Sequence, residues 1–124
     1  MNTEKVINEL SLKYPGKRII KINEENPTEI ICEVNPSSEH PEKSMAIAVI
    51  DRSELHYHKK STEIYRIIKG ELKLIVDNKE YNLKKNDVYT IHPGEIHYAI
   101  GSETWVEVIS EPGWTLEDHI IKKL

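Results

Sequence analysis

The chain has 124 residues, with 17 Lys+Arg against 21 Asp+Glu and a formal net charge of −4. That length fits one domain over residues 1–124, able to bury roughly two thirds of its unfolded surface without covalent staples. One cysteine, Cys32, excludes an intramolecular disulfide; three scattered arginines, Arg18, Arg52 and Arg66, leave no nucleic-acid footprint; and no apolar run is long enough to span a bilayer.

The opening MNTEKVINELSLKYPG lacks the apolar core of a secretory signal, so a cytoplasmic protein is expected. Val6, Ile7 and Leu10 recur at helical spacing, Thr3 is a candidate N-cap and Pro15-Gly16 a stop, which together predict a helix over about 3–14. From about 17 to 110 the chain changes to short segments rich in Ile, Val, Thr and Tyr, such as RIIKI (18–22), EIICEV (29–34), EIYRIIKG (63–70) and WVEVIS (105–110). Turn signals separate them, among them Asp77-Asn78, Pro93-Gly94 and Gly101-Ser102. This rhythm predicts an antiparallel sandwich or barrel, with Cys32 as a small core residue and Asp77-Asn78 as a tight hairpin turn. The longest irregular stretch, NPSSEHPEKS (35–44), suits a rim, a lid or a linker. After Pro112-Gly113, Thr115 and Asp118 have capping-box spacing, which predicts a short helix over about 115–123 with His119 on its surface.

The chemistry concentrates in HYHKKSTE (56–63). Side chains alternate along a strand, so His56 and His58 share a face and can converge on one ion. Glu63 joins them only if the polar KKST turns the chain into a new strand, on which Glu63, Tyr65 and Ile67 then face one way and Arg66 the other. His97 follows the Pro93-Gly94 turn, and a barrel can return it beside the first three. Three imidazoles and a carboxylate suit a divalent transition metal: Mn, Fe, Ni, Zn or Cu.

With these residues the sequence resembles the cupin superfamily. Its first motif is a glycine, then His-X-His, a glutamate after three or four intervening residues, and a glycine after six more; His56, His58, Glu63 and Gly70 fit. Its second places Pro-X-Gly, then histidine, then asparagine; Gly94 and His97 fit. Ile50, His92 and Gly101 stand where the motifs carry glycine, proline and asparagine, so the departures fall on framing positions and the four ligand positions are kept. The resemblance implies an all-β cupin barrel (double-stranded β-helix, or jelly roll) with short N- and C-terminal helices, one metal ion on His56, His58, Glu63 and His97, and a homodimer formed through sheet edges. It also implies a small-molecule ligand, with no nucleic acid or membrane partner. The activities it brings are those of metal-dependent enzymes on small oxygenated metabolites, such as mannose-6-phosphate isomerase-like proteins. The alternatives are a cupin dioxygenase or decarboxylase and a non-catalytic sugar-binding module. Tyr65, on the metal-facing side of its strand, and His92, before the Pro-Gly turn, are the candidate catalytic residues. Trp105 reads as core and Trp114 as edge packing, with a cover for the barrel mouth as the alternative.

Overall fold

The computed structural model describes residues 1–123. Helix α1 (Thr3–Lys13) buries Val6 and Leu10 on one face. Its cap is Asn2 rather than Thr3: the Asn2 side chain accepts from the Lys5 backbone N–H at 3.2 Å, because the chain becomes helical one residue earlier than expected.

Among the described residues ten strands follow: β1 (Arg18–Ile22), β2 (Glu29–Asn35), β3 (Ser44–Arg52), β4 (His56–Tyr57), β5 (Thr62–Lys69), β6 (Leu72–Val76), β7 (Lys79–Leu83), β8 (Val88–Ile91), β9 (His97–Glu111) and β10 (Ile120–Ile121). They form one antiparallel, curled sheet in the order β1-β2-β3-β9-β4-β10; β5 and β6 also pair with β9, β8 with β5 and β7 with β6. The 15-residue β9 closes the barrel, running against β6 in its first third and against β3 and β5 in the rest. Asp77 and Asn78 both take positive φ, 47° and 68°, and make the expected tight turn between β6 and β7.

Alternation on β3 divides the apolar residues into two cores. Ala48 and Ile50 point into the barrel with Ile67, Leu74 and Val106. Ile47 and Val49 point outward, where Val6 and Leu10 of α1 cover them together with Cys32 and Trp105. The helix therefore seals the outer face of a sheet whose inner face is free to build a site. No helix among the described residues is long and apolar enough to cross a membrane.

Two expectations are corrected. Gly101-Ser102 does not break a strand; β9 runs through it with a bulge, marked by the register shift between Ile50 and Arg52 and by φ 46° at Glu103. Gly101 is needed there for close approach, since a Cβ would lie 2.8 Å from the Ile50 carbonyl oxygen and 2.5 Å from Thr104 Oγ1. Gly101→Ala is expected to cost about 1–3 kcal/mol in denaturant unfolding; a change below about 0.5 kcal/mol would place it among neutral surface substitutions. The second correction is at the C-terminal end. The helix expected over 115–123 is a single 3-10 turn, Leu116–Asp118, followed by β10. Thr115 does cap the Asp118 N–H at 3.3 Å, but the Asp118 carboxylate reaches across to the 59–61 loop instead of completing a box. Ile120 and Ile121 then pair with Tyr57 and His56, so tertiary hydrogen bonds replace the helical ones.

Candidate metal centre

Four side chains from three strands meet inside the barrel. His56 opens β4 directly opposite His97, which opens β9. His58 follows one residue beyond β4. Glu63 lies on β5, whose alternating burial turns Glu63, Tyr65 and Ile67 inward. All four of His56, His58, Glu63 and His97 are buried, and one ligating atom of each lies within 4.8 Å of the other three.

Backbone carbonyls orient the imidazoles. His56 Nδ1 lies 2.6 Å from the Glu54 oxygen, His58 Nδ1 2.9 Å from that of Asp118, and His97 Nδ1 2.9 Å from that of Glu95. A carbonyl only accepts, so each Nδ1 donates and each neutral ring keeps a bare Nε2 lone pair. The Nε2 atoms of His58 and His97 stand 3.0 and 3.4 Å from Glu63 Oε1. The distances allow hydrogen bonds but the directions do not, and all three buried atoms remain without a partner. Acceptors facing one another inside a protein are costly unless a cation lies between them. Three nitrogens and one carboxylate oxygen, with every imidazole held from behind, fit a divalent transition metal.

Burial and charge act differently on each group. Burial, with His97 and His119 beside it, lowers the His56 imidazole to about 3, so it is neutral and free to ligate near neutral pH. Burial also works against a charge on His58, but the Glu63 carboxylate outweighs it and raises that imidazole. Burial alone would raise Glu63; His58 and His97 reverse this and hold the carboxyl well below the usual range.

The C-terminal segment completes the site. Asp118 accepts from the backbone N–H groups of Lys59, Lys60 and Ser61 at 2.9–3.2 Å, and its own carbonyl fixes His58. His119, expected on a helix surface, instead stacks on His56 with centroids 4.2 Å apart and planes 17° from parallel. The Trp114 Nε1–H donates to its Nδ1 at 3.3 Å. Burial and the neighbouring His58 push His119 down to about 4.

These groups border a cavity with His56 and Glu63 exposed to it, Tyr65 and Val108 on its walls, and Trp114 and His119 alongside. Pro36 and Ser37 of the 35–44 loop also border it, and Gly113 N donates to the Pro41 oxygen at 2.8 Å, which ties this loop to the C-terminal segment as part of the rim. Tyr65 lies where strand parity put it, buried in the barrel, and burial followed by Glu63 and Glu29 raises its hydroxyl. His92 does not join this group. It is exposed in the Pro-Gly turn, its backbone N–H bonded to Glu95, and it is not among the cavity-lining residues. Arg66 points outward, as expected, to a bidentate pair with Glu107 at 3.1 and 3.3 Å.

The sequence reading missed the lining residues on β2, Glu29 above all. Alternation along β2 sends Ile30 and Cys32 to the outer core and Glu29, Ile31 and Glu33 to the cavity. Glu29 is enclosed by protein but keeps accessible area, because that area is cavity wall. Burial, reinforced by Glu63 and Glu54, pushes its carboxyl up to about 8. The same period-two count that located Tyr65 would have found it.

The fold, the two histidine-bearing segments and the inward glutamate together define the class. The chain belongs to the cupin family: the Cupin domain model matches residues 43–110, more than half of the chain. No curated protein matches. Among solved structures, a variant of Streptomyces PAC13 with uridine superposes with a TM-score of 0.78 at 11% identity, covering 90% of this chain and 88% of that one. KdgF from Halomonas sp. gives 0.64 at 16% identity, covering 77% and 95%. Ectoine synthase from P. lautus gives 0.65 at 19%, covering 77% and 70%. Identities this low show a shared fold and nothing finer.

Proposed function

We propose that the chain is a metal-dependent cupin enzyme that moves protons on a small oxygenated metabolite, by isomerisation or by elimination of water. The observation that carries this reading is the set of three buried, unpartnered acceptors, His58 Nε2, Glu63 Oε1 and His97 Nε2, converging beside an open cavity. A divalent ion held by His56, His58, Glu63 and His97 would supply Lewis acidity to a substrate oxygen. The other residues of the chain are suited to the proton. Glu29, with its carboxyl near 8, can both give and take one around neutral pH. Tyr65, kept protonated, can donate a hydrogen bond to a ligand oxygen. Trp114, Pro36 and Ser37 border the cavity and would limit water around a bound ligand. Such chemistry is of the kind named for one neighbour, since PAC13 is described as a nucleoside dehydratase. The proposal includes a homodimer: β1 is a free end of the sheet path and offers an edge for pairing.

The test is metal content followed by turnover. Protein purified without chelator is expected to hold close to one equivalent of Mn, Fe, Ni, Zn or Cu, and the metal-loaded form to convert a member of a panel of sugars, nucleosides and hydroxy acids. Protein that takes up no metal after reconstitution refutes the reading.

Acid should release the metal. Protons compete for the lone pairs that bind it, and His58, raised by Glu63, takes one up most readily. Metal affinity is therefore expected to fall as the pH drops through the imidazole range, from about 7 to about 5. Equilibrium dialysis at stepped pH reads this directly, and full retention below about 4 would contradict it.

A further inference from the structure

The cavity walls carry an uneven distribution of charge. Beside the metal cluster, β2 presents Glu29 and Glu33 on one face, two turns of alternation apart, and Glu63 faces them from β5. Asn35, Ser37, Ser44 and Ser110 add uncharged polar groups, while Ile31, Met45, Val108 and Trp114 supply apolar surface. No lysine or arginine is among the lining residues. Arg18, largely exposed, stands 3.9 Å from Glu33. No hydrogen-bond donor among the described residues offsets the enclosure of the Glu29 carboxyl, and Glu63 Oε1 is likewise unpartnered.

Phosphate and carboxylate groups are bound by guanidinium or ammonium groups, or by clustered backbone N–H groups, that replace their lost water. This wall offers carboxyl groups and neutral polar groups, and no guanidinium or ammonium. A divalent ion at the cluster would stand against the Glu63 carboxylate, with Glu33 on the same cavity wall, which would leave little net positive charge to draw in a further anion. Ligand hydroxyls, in contrast, would find carboxyl and amide oxygens to donate to, above an apolar floor.

We infer that the cavity selects a hydroxyl-bearing small molecule that lacks phosphate and carboxylate groups, with Glu29 and Glu33 receiving its hydroxyls and Trp114 and Val108 covering its apolar face. This rests on the metal-dependent reading above and narrows its substrate class: of the sugar and sugar-phosphate chemistries that cupins suggest, it takes the unphosphorylated one.

Matched pairs test it. Zinc-reconstituted protein is titrated with uridine and uridine 5′-monophosphate, and with mannose and mannose 6-phosphate, while methyl NMR signals of Ile31, Met45 and Val108 are followed. The expected result is that a neutral member shifts these methyls with at least about tenfold higher affinity than its phosphorylated partner, and that Glu33→Gln closes much of the gap. A phosphorylated member that binds as tightly as its partner overturns the inference, and so does the failure of every neutral member to reach the lining methyls. Metal analysis of the same samples separates the two readings. Selectivity without bound zinc leaves the charge selection standing and removes the metal centre; bound zinc with a preference for phosphate does the reverse.

Discussion

His58→Ala is expected to weaken metal binding by more than about 100-fold, against the 10–100-fold typical of losing only a group behind a ligand. The imidazole would supply one of four donors, and its Nε2 is the nitrogen nearest to Glu63, at 3.0 Å. Without it, the ion would keep two imidazoles and a carboxylate and gain a water. The variant should come off the column nearly metal-free while the wild type carries close to one equivalent. Metal should also stabilise only the wild type: at 100 times the dissociation constant, a ligand of the native state raises unfolding free energy by about 2.7 kcal/mol. His92→Ala serves as the control, since that side chain is exposed in its turn and should leave metal content unchanged. Equal metal content in His58→Ala and wild type would remove the site.

Asp118→Ala tests the support behind the ligands. Its carboxylate answers three backbone N–H groups of the loop that joins the His-X-His segment to Glu63. Removing it leaves partly buried donors unpaired, at a cost of about 2–4 kcal/mol. Metal affinity should fall about 10–100-fold in the same variant, since the loop it releases carries both His58 and the approach to Glu63. Asp118→Asn keeps the shape and one acceptor oxygen and should fall between. There is also a pH signature. Burial pushes the Asp118 carboxyl up, but the N–H groups of Ser61, Lys60 and Lys59 outweigh it and the net direction is down. A carboxyl lower in the folded than in the unfolded chain stabilises above its unfolded value, about 3.9, and loses that contribution as the pH falls through its folded value. Chemical denaturation between neutral pH and pH 3 should show this acid loss in the wild type and not in Asp118→Asn; identical curves would reject the clamp.

The candidate ligand set was legible partly from local signals and partly from the resemblance to the cupin motifs, which joins His97 to the other three. His56 and His58 share a face by strand alternation, the polar KKST marks the turn, and Pro93-Gly94 announces the strand that bears His97. Tyr65 followed from parity with Glu63. What the sequence hid depends on contacts between distant segments. Nothing in EPGWTLEDHIIKKL shows that Asp118 is taken by residues 59–61, so the capping-box pattern reads as a helix with His119 on its surface. Gly101 looked like a stop because glycine marks turns more often than close approach, and only the Ile50 carbonyl at its back distinguishes the two. His92 drew attention for its chemistry, yet it stands outside the cavity because the turn that aims His97 inward leaves His92 on the exterior.

Strand β9 joins all of this in a single covalent run. It begins with His97 and ends beside Ser110, whose hydroxyl lies 3.4 Å from Glu63, and between them it bonds to β3, β5 and β6. A strand shared by so many neighbours cannot peel away by itself, so its central amides should exchange with solvent only when the whole sheet opens. The ion would then sit at the ends of the slowest-opening part of the molecule, and its rate of escape would be limited by movement of the rim, in the 35–44 loop and the C-terminal segment, rather than by fraying of the barrel.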